Sequence, residues 1–149
     1  MNKKYKVIQD ETIHLGNHIL HRIQACRSFG NVKSGDLGGF IESEGNLDHS
    51  GGCWISEHTK IYGNARVFGD AYIGGSTWIS GDAEVSGTAQ VYDNSWVSGN
   101  VQISGDAWIG ENIPAYGNMK LDSGIWNQTV EIDEKCYLIS TTLKKVLFE

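Results

Sequence analysis

ThrLysIleTyrGlyAsn (59–64) and AlaArgValPheGlyAsp (65–70) are consecutive units of a six-residue pattern that runs without a gap through residues 53–124. The third place of each unit is aliphatic, apart from one alanine, the first is usually small, and the last two are mostly Gly, Asn, Asp, Ser or Thr. A short fixed period over this length is typical of a solenoid. We therefore expect short strands separated by tight corners, where Gly, Asn and Asp accept a positive φ.

The run V-x-G-D-A-x at 67–72 resembles the hexapeptide signature of left-handed parallel β-helices, in which three units complete a triangular coil of 18 residues. The resemblance implies an all-β fold, a left-handed winding and four coils in the 72 residues of the repeat (72/18 = 4). Residues 47–124 are then the hexapeptide β-helix. Residues 1–46 are predicted to be a β cap or hairpin segment, and 125–149 a C-terminal cap or oligomerisation segment.

Two features are predicted within the N-terminal segment. Gly16 and Asn17 separate two apolar-rich runs, which is the pattern of a two-residue β-hairpin turn. A solenoid also needs residues that cover its open apolar end. The predicted plug of the first coil consists of Phe29, Leu37, Phe40 and Ile41.

The net charge of −6 is concentrated in the repeat, because no Lys or Arg lies between Arg66 and Lys120. The same interval contains six acids: Asp70, Asp82, Glu84, Asp93, Asp106 and Glu111. Nucleic-acid binding requires clustered Lys and Arg, so direct binding of DNA or RNA is disfavoured. An acidic body of this kind favours a basic partner instead.

The cysteines favour neither a disulfide framework nor a zinc site, because Cys26, Cys53 and Cys136 lie far apart without a CxxC pair. No segment has the run of about 20 apolar residues that a membrane span needs. The apolar run after the basic start is too short for a signal peptide. We expect a soluble protein of a reducing cytoplasm.

Enzymatic activity is not expected. The proteins with this hexapeptide signature that the chain resembles are best known as acyltransferases, whose sites use a catalytic His and loops that project from the coil. Here no His occurs within 59–124, and the uninterrupted register leaves no room for such a loop. His58 is read as a solvated corner residue. The hairpin contains three histidines that could converge as metal ligands: His14, His18 and His21. The favoured interpretation is that they are exposed residues of the two strands. No metal and no cofactor are predicted.

Folding the period of 18 onto three faces predicts which side chains point outward. The second place of each unit stacks Trp54, Tyr72, Gln90, Trp108 and Trp126 on one face. The next face stacks Lys60, Trp78, Trp96 and Pro114, and the third stacks Arg66, Glu84, Gln102 and Lys120. Cross-strand stacking explains part of this pattern. Outward aromatic columns are also patches that soluble monomers seldom expose.

A second resemblance concerns the run GlyAspLeuGlyGlyPheIleGluSerGluGlyAsnLeu at 35–47. Followed by the repeats, it is similar to proteins of phages and prophages that share such a segment ahead of a variable number of hexapeptides. The likeness covers about the first 125 residues. It implies that the protein is made by a phage or prophage in the cytoplasm of a bacterial host cell, and it implies no particular activity.

Together these observations favour a non-catalytic interaction module that antagonises a host protein with a basic surface. A nucleic-acid-binding defence protein, such as a CRISPR-type nuclease, is the expected partner. The predicted contact residues are Trp54, Tyr72, Trp78, Trp96 and Trp108, surrounded by Asp70, Asp82, Glu84, Asp93 and Asp106. The alternatives are a structural homo-oligomer, such as a trimer, and an acyltransferase-like small-molecule binder with its site at a subunit interface.

Overall fold

A computed structural model of the chain describes residues 3–110, 112–132, 135–140 and 146–148. Within these residues the protein is all-β, apart from one short 3-10 helix at Glu44–Asn46. The N-terminal strands are β1 (Tyr5–Leu15), β2 (His18–Ala25) and β3 (Leu37–Ile41). Two-residue strands follow: β4 (Trp54–Ile55), β5 (Lys60–Ile61), β6 (Arg66–Val67), β7 (Tyr72–Ile73), β8 (Trp78–Ile79), β9 (Glu84–Val85), β10 (Gln90–Val91), β11 (Trp96–Val97), β12 (Gln102–Ile103), β13 (Trp108–Ile109), β14 (Pro114–Ala115) and β15 (Lys120–Leu121). The last strands are β16 (Ile125–Ile132), β17 (Lys135–Ser140) and β18 (Val146–Phe148).

Three sheets run along the solenoid, and each coil contributes one strand to each sheet, except that the first coil reaches the third sheet only through a bridge at Leu47. The first sheet has the order β1-β2-β3-β5-β8-β11-β14, the second β18-β17-β16-β13-β10-β7-β4, and the third β15-β12-β9-β6. Neighbouring coils pair in parallel with residues 18 positions apart, as in Trp78 opposite Trp96. The predicted parallel β-solenoid is confirmed, whereas its left-handed winding remains a prediction.

The solenoid has about five turns, one more than predicted. Strand β3 pairs in parallel with β5, so that Ile41 lies opposite Ile61. Leu47 bridges to Val67, and β4 then completes this first coil. The coil thus begins at Leu37, ahead of the expected boundary at residue 46. The sequence indicates this coil only as a degenerate turn at 41–52, where Leu47 falls in phase, because a long β3 and a 3-10 helix replace its hexapeptide units.

The six-residue unit is explained by its inward and corner positions. The aliphatic third-place side chains are buried in one continuous core from Ile55 to Leu121. Coils are joined by backbone hydrogen bonds, such as Arg66 N donating to Ala83 O at 2.9 Å. In most units the fifth place carries a positive φ, which is 67° at Gly81. A side chain there would be strained, so glycine recurs at this corner position.

The first place of the unit is small because it is buried beside the corner. Where it is polar, its hydroxyl donates to a carbonyl, which lies three residues upstream for Thr77 and Ser95 and in the next coil for Thr59. Thr77 Oγ1 donates to Gly74 O at 2.8 Å, and Ser95 Oγ donates to Tyr92 O at 2.7 Å. These bonds remove the cost of burying an unpaired hydroxyl in the core.

The N-terminal end of the core is closed by the start of β1. Tyr5 is fully buried and its hydroxyl donates to Leu47 O at 2.6 Å. Lys4 is also buried, with Nζ donating to Cys53 O at 2.7 Å and lying 3.1 Å from Cys53 Sγ. Burial raises the pKa of the Cys53 thiol, although the Lys4 ammonium opposes that shift. This end of the solenoid therefore relies on a buried polar anchor.

The predicted plug is only partly correct. Ile41 is buried in the core and Phe40 is covered by the Arg22 guanidinium, 4.2 Å from the ring centroid. Phe29 packs edge-on against Trp54, whereas Leu37 is 41% exposed. The closing residues are Tyr5 and Lys4 instead. The β1–β2 hairpin, which turns at Gly16 and Asn17 as predicted, brings them there, and this long-range placement has no local sequence signal.

Two carboxylates accept hydrogen bonds at the 3-10 segment: Glu44 lies within it and Glu42 lies just before it. His49 Nε2 contacts Glu44 Oε1 at 2.9 Å, and this hydrogen bond lowers the pKa of Glu44. Burial alone would raise the pKa of Glu42, but hydrogen bonds from the Gly63 amide and His18 lower it overall. Both carboxyls are therefore stabilised in the ionised form within the fold.

The C-terminal end of the core is closed by Trp126, which is 2% exposed. It was expected in the outward column, but it lies opposite Ile109 on the inward side while Ile125 points outward. The last corner is one residue shorter than the others. Gly124 O accepts from Trp108 N, as Ala107 O accepts from Gln90 N one coil earlier. One deleted residue thus shifts the tryptophan from the surface into the core.

Candidate interaction surface

An aromatic strip lies on the first sheet. The Trp78 and Trp96 rings are 5.6 Å apart with an interplanar angle of 47°, and Tyr62 meets Trp78 edge-on at 6.4 Å. Parallel pairing of β8 and β11 places the two tryptophans directly opposite each other. Trp96 is 54% exposed, which makes it the most exposed large apolar side chain among the described residues. This strip is the open part of the predicted surface.

The N-terminal end of the strip is covered by the chain itself. The His18 ring lies 4.9 Å from Tyr62, and Lys60 Nζ lies 5.5 Å from the centroid of Trp78. A cation over an aromatic face contributes about 0.5–1 kcal/mol at exposed sites. These contacts order Trp78 and leave Trp96 as the uncovered centre of the strip.

Trp54 does not join the open surface, although it was predicted as a contact residue. It is 4% exposed, with the Phe29 ring 5.4 Å away. A Cβ added to Gly38 would lie 2.7 Å from its ring. The N-terminal segment therefore packs directly on Trp54. Its outward direction was predicted correctly, but tertiary contacts cover it.

The second sheet carries a separate aromatic column. The Tyr72 and Tyr92 rings lie 6.0 Å apart, and Tyr92 lies 5.8 Å from Trp108. A Cβ at Gly74 would lie 2.8 Å from the Tyr92 ring, so the ring can pack against residue 74 only because that residue is glycine. Burial raises the pKa of Tyr92, and Tyr72 adds to the shift. The column is half-buried and therefore less open than Trp96.

The predicted acids are distributed around the solenoid and do not ring one site. Glu84 lies on the third sheet, where its carboxylate is 3.7 Å from Arg66 Nη1. Asp70 and Asp106 lie at the corners that lead into the second sheet, Asp82 at the corner between β8 and β9, and Asp93 at the corner between β10 and β11. The ten predicted residues thus fall on three faces and their corners.

A groove on the second sheet was missed in the sequence. It has a volume of about 940 Å³ and lies between the aromatic column and the N-terminal loop that precedes β3. Its lining includes Phe29, Asp36, Trp54, Glu57, Tyr72 and Tyr92. The loop residues have no repeat register, so only the tertiary position of the hairpin could reveal this groove.

No cluster of three or more His, Cys, Asp or Glu that could hold a metal ion occurs in the described parts of the chain. Cys26 and Cys53 are free thiols. No helix of the described residues is long and apolar enough to span a membrane.

Between β4 and β15, leaving aside residue 111, each two-residue strand is followed by a short corner, and no loop projects from the coil. The expected lack of catalysis stays a prediction.

The fold and its repeated corner glycines define a β-solenoid protein. Residues 60–75 match the family model described as the YdcK beta solenoid repeat. This match covers the units around β5 to β7, so the chain is similar to that family in its repeat. No curated protein matches the chain.

Proposed function

We propose that the protein is a non-catalytic interaction module of phage or prophage type. It acts in the cytoplasm of a bacterial host and occupies the surface of a basic host protein. The partner class is a nucleic-acid-binding defence protein, such as a CRISPR-type nuclease, whose positively charged nucleic-acid site would attract an acidic solenoid. In this role the protein acts as an inhibitor by blocking that site.

The observation that carries the proposal is the Trp78–Trp96 pair, in which Trp78 is half-buried and Trp96 is exposed. Tryptophan is among the residues most enriched at binding hot spots, because it buries a large rigid surface at low entropic cost. Trp96 is 54% exposed in the fourth of the five coils. The interval 67–119 around it contains no Lys or Arg, so the repeat places no basic residue beside Trp96, whereas Lys60 lies over Trp78. A basic partner suits both features, since opposite charge speeds encounter and the rings hold the complex.

Trp78→Ala combined with Trp96→Ala is expected to abolish partner binding. Hot-spot tryptophans contribute at least about 2 kcal/mol each, so the affinity should fall by more than about a hundredfold. The measurement is affinity capture from bacterial lysate followed by mass spectrometry, and then titration of the captured protein once it is known. The matched control is Gln102→Ala with Ser86→Ala on the third sheet, which should capture as the wild type does. Retained capture by the tryptophan variant, with unchanged circular dichroism, would refute this surface.

Self-association is the second candidate function, favoured by the same exposed ring. A strip of Trp78, Trp96 and Pro114 on short, flat strands can be covered by a second copy of the chain. If so, light scattering at micromolar concentration gives a dimer or trimer mass, and Trp96→Glu gives a monomer. A wild-type protein that is strictly monomeric under these conditions excludes this candidate.

A further inference from the structure

The groove on the second sheet combines aromatic rings with carboxylates. Rings of Phe29, Trp54, Tyr72 and Tyr92 line it, and Tyr92 Oη donates to Gln90 Oε1 at 2.6 Å at one side. Its volume of about 940 Å³ suits a short peptide or a drug-sized molecule. It lies on a different sheet from the Trp78–Trp96 strip, and hence forms a separate site.

The charged residues that line the groove are both acidic, although Lys4 Nζ lies 5.3 Å from the centroid of the Phe29 ring. The lining residues include Asp36 and Glu57 but no Lys, Arg or His. Asp36 Oδ2 accepts from the Lys33 backbone amide at 2.9 Å, which positions the carboxylate without neutralising it. Glu57 has no ion-pair partner among the described residues; only its backbone carbonyl is engaged, by Arg22. Both carboxylates therefore retain the capacity to bind a cation.

We propose that this groove binds a short basic peptide segment, with an arginine or lysine side chain seated on Tyr72 and Tyr92 and facing Asp36 and Glu57. A guanidinium or ammonium over an aromatic face is attracted by the ring quadrupole, and more strongly when it is partly desolvated. The lining carboxylates add charge-assisted hydrogen bonds. The inference rests on the proposed function in taking a basic partner, and it adds the chemistry and the position of a second contact.

The test of charge uses isothermal titration of the full chain with acetyl-Gly-Arg-Gly-Arg-Gly-amide, and with the same peptide carrying glutamine for arginine. Work at about 0.15 M salt screens distant charges. Asp36→Asn with Glu57→Gln should weaken binding of the arginine peptide by about tenfold or more. The control, Asp82→Asn with Asp106→Asn, removes the same two charges at corners outside the lining and should change affinity less than about twofold, since exposed charges at a distance are largely screened.

The test of the rings uses Tyr72→Leu with Tyr92→Leu, which should abolish measurable binding, while Tyr92→Phe should retain it because the ring remains. Unchanged circular dichroism verifies the fold of each variant. Equal weakening by both pairs of charge changes would mean diffuse attraction and would overturn the proposal. Equal binding of the glutamine peptide, tighter binding of a neutral oligosaccharide, or a dimer that the leucine variant dissociates would also overturn it.

The Trp78→Ala, Trp96→Ala variant separates this inference from the proposed function. Its affinity for the arginine peptide should equal that of the wild type, since the strip lies on the first sheet and the groove on the second. If the groove variants still capture the host partner while the tryptophan variant does not, the proposed function stands and the groove inference fails. If the arginine peptide binds in the groove but the Trp78→Ala, Trp96→Ala variant still captures the host partner, the groove inference stands and the proposed function fails.

Discussion

Trp126→Ala is expected to lower the free energy of unfolding by about 3–5 kcal/mol, which is the usual cost of removing a large buried aromatic side chain. The ring is 2% exposed and closes the core above Ile109 in the last coil. Its Nε1 donates to Ser123 O at 2.7 Å, a bond that the alanine also removes. Without the ring, Ile109 loses the side chain that lies opposite it on the core side. Urea denaturation followed by circular dichroism measures the change.

Trp96→Ala is the matched control, because it removes the same side chain from the surface of the same solenoid. Since its ring is 54% exposed, the free energy of unfolding should change by less than about 1 kcal/mol. If the two variants lose similar stability, Trp126 does not close the core. If Trp126→Ala loses less than about 1 kcal/mol, the end of the solenoid is closed by other groups.

Gly39→Ala should destabilise the first coil by about 3 kcal/mol, at the upper end of the effects of overpacking. A Cβ at this position would collide with the carbonyl oxygen of Thr59 and lie 2.6 Å from that of Ser56. Both carbonyls belong to the next coil, and Thr59 O also accepts from Phe40 N at 2.9 Å. The backbone cannot move away without breaking the pairing of β3 with β5. Thermal unfolding of the purified variant gives the magnitude.

Gly45→Ala provides the comparison within the same segment. Its added Cβ would have Ser43 Oγ as the nearest atom, at 3.6 Å, and its φ lies outside the positive region. Stability should therefore change by less than about 0.5 kcal/mol. An equal loss in both variants would indicate a general intolerance of alanine in 35–47. A loss confined to Gly39→Ala shows that the close approach of the Thr59 and Ser56 carbonyls requires glycine at position 39.

The two candidate sites differ in how they arise from the chain. The Trp78–Trp96 strip follows from the repeat, since residues 18 apart are stacked by parallel pairing. The groove requires the N-terminal hairpin to place Phe29 and Asp36 beside Tyr72. A partner that uses both sites would wrap around one corner of the solenoid, and two modest contacts would then combine into a higher affinity.

The sequence predicted the site residues unevenly. Outward directions were correct for Trp78, Trp96 and Trp108, because a period of six with parallel pairing determines the side of each residue. Burial was not predictable for Trp54, since Phe29 reaches it from 25 residues away in the chain. Trp126 was assigned to the wrong side because a one-residue deletion at the last corner has no signature in a pattern of small polar residues.

The repeat by itself determined the β-solenoid architecture, the inward aliphatic core and the acidic charge of the body, since each depends on residue type at a fixed spacing. Only the tertiary structure decided the fifth turn, the closure of both ends and the groove. Those features depend on long-range contacts, such as Tyr5 with Leu47 and Phe29 with Trp54. Periodicity carries information about neighbours 18 residues apart, whereas segments outside the register are placed by whichever surfaces they can bury.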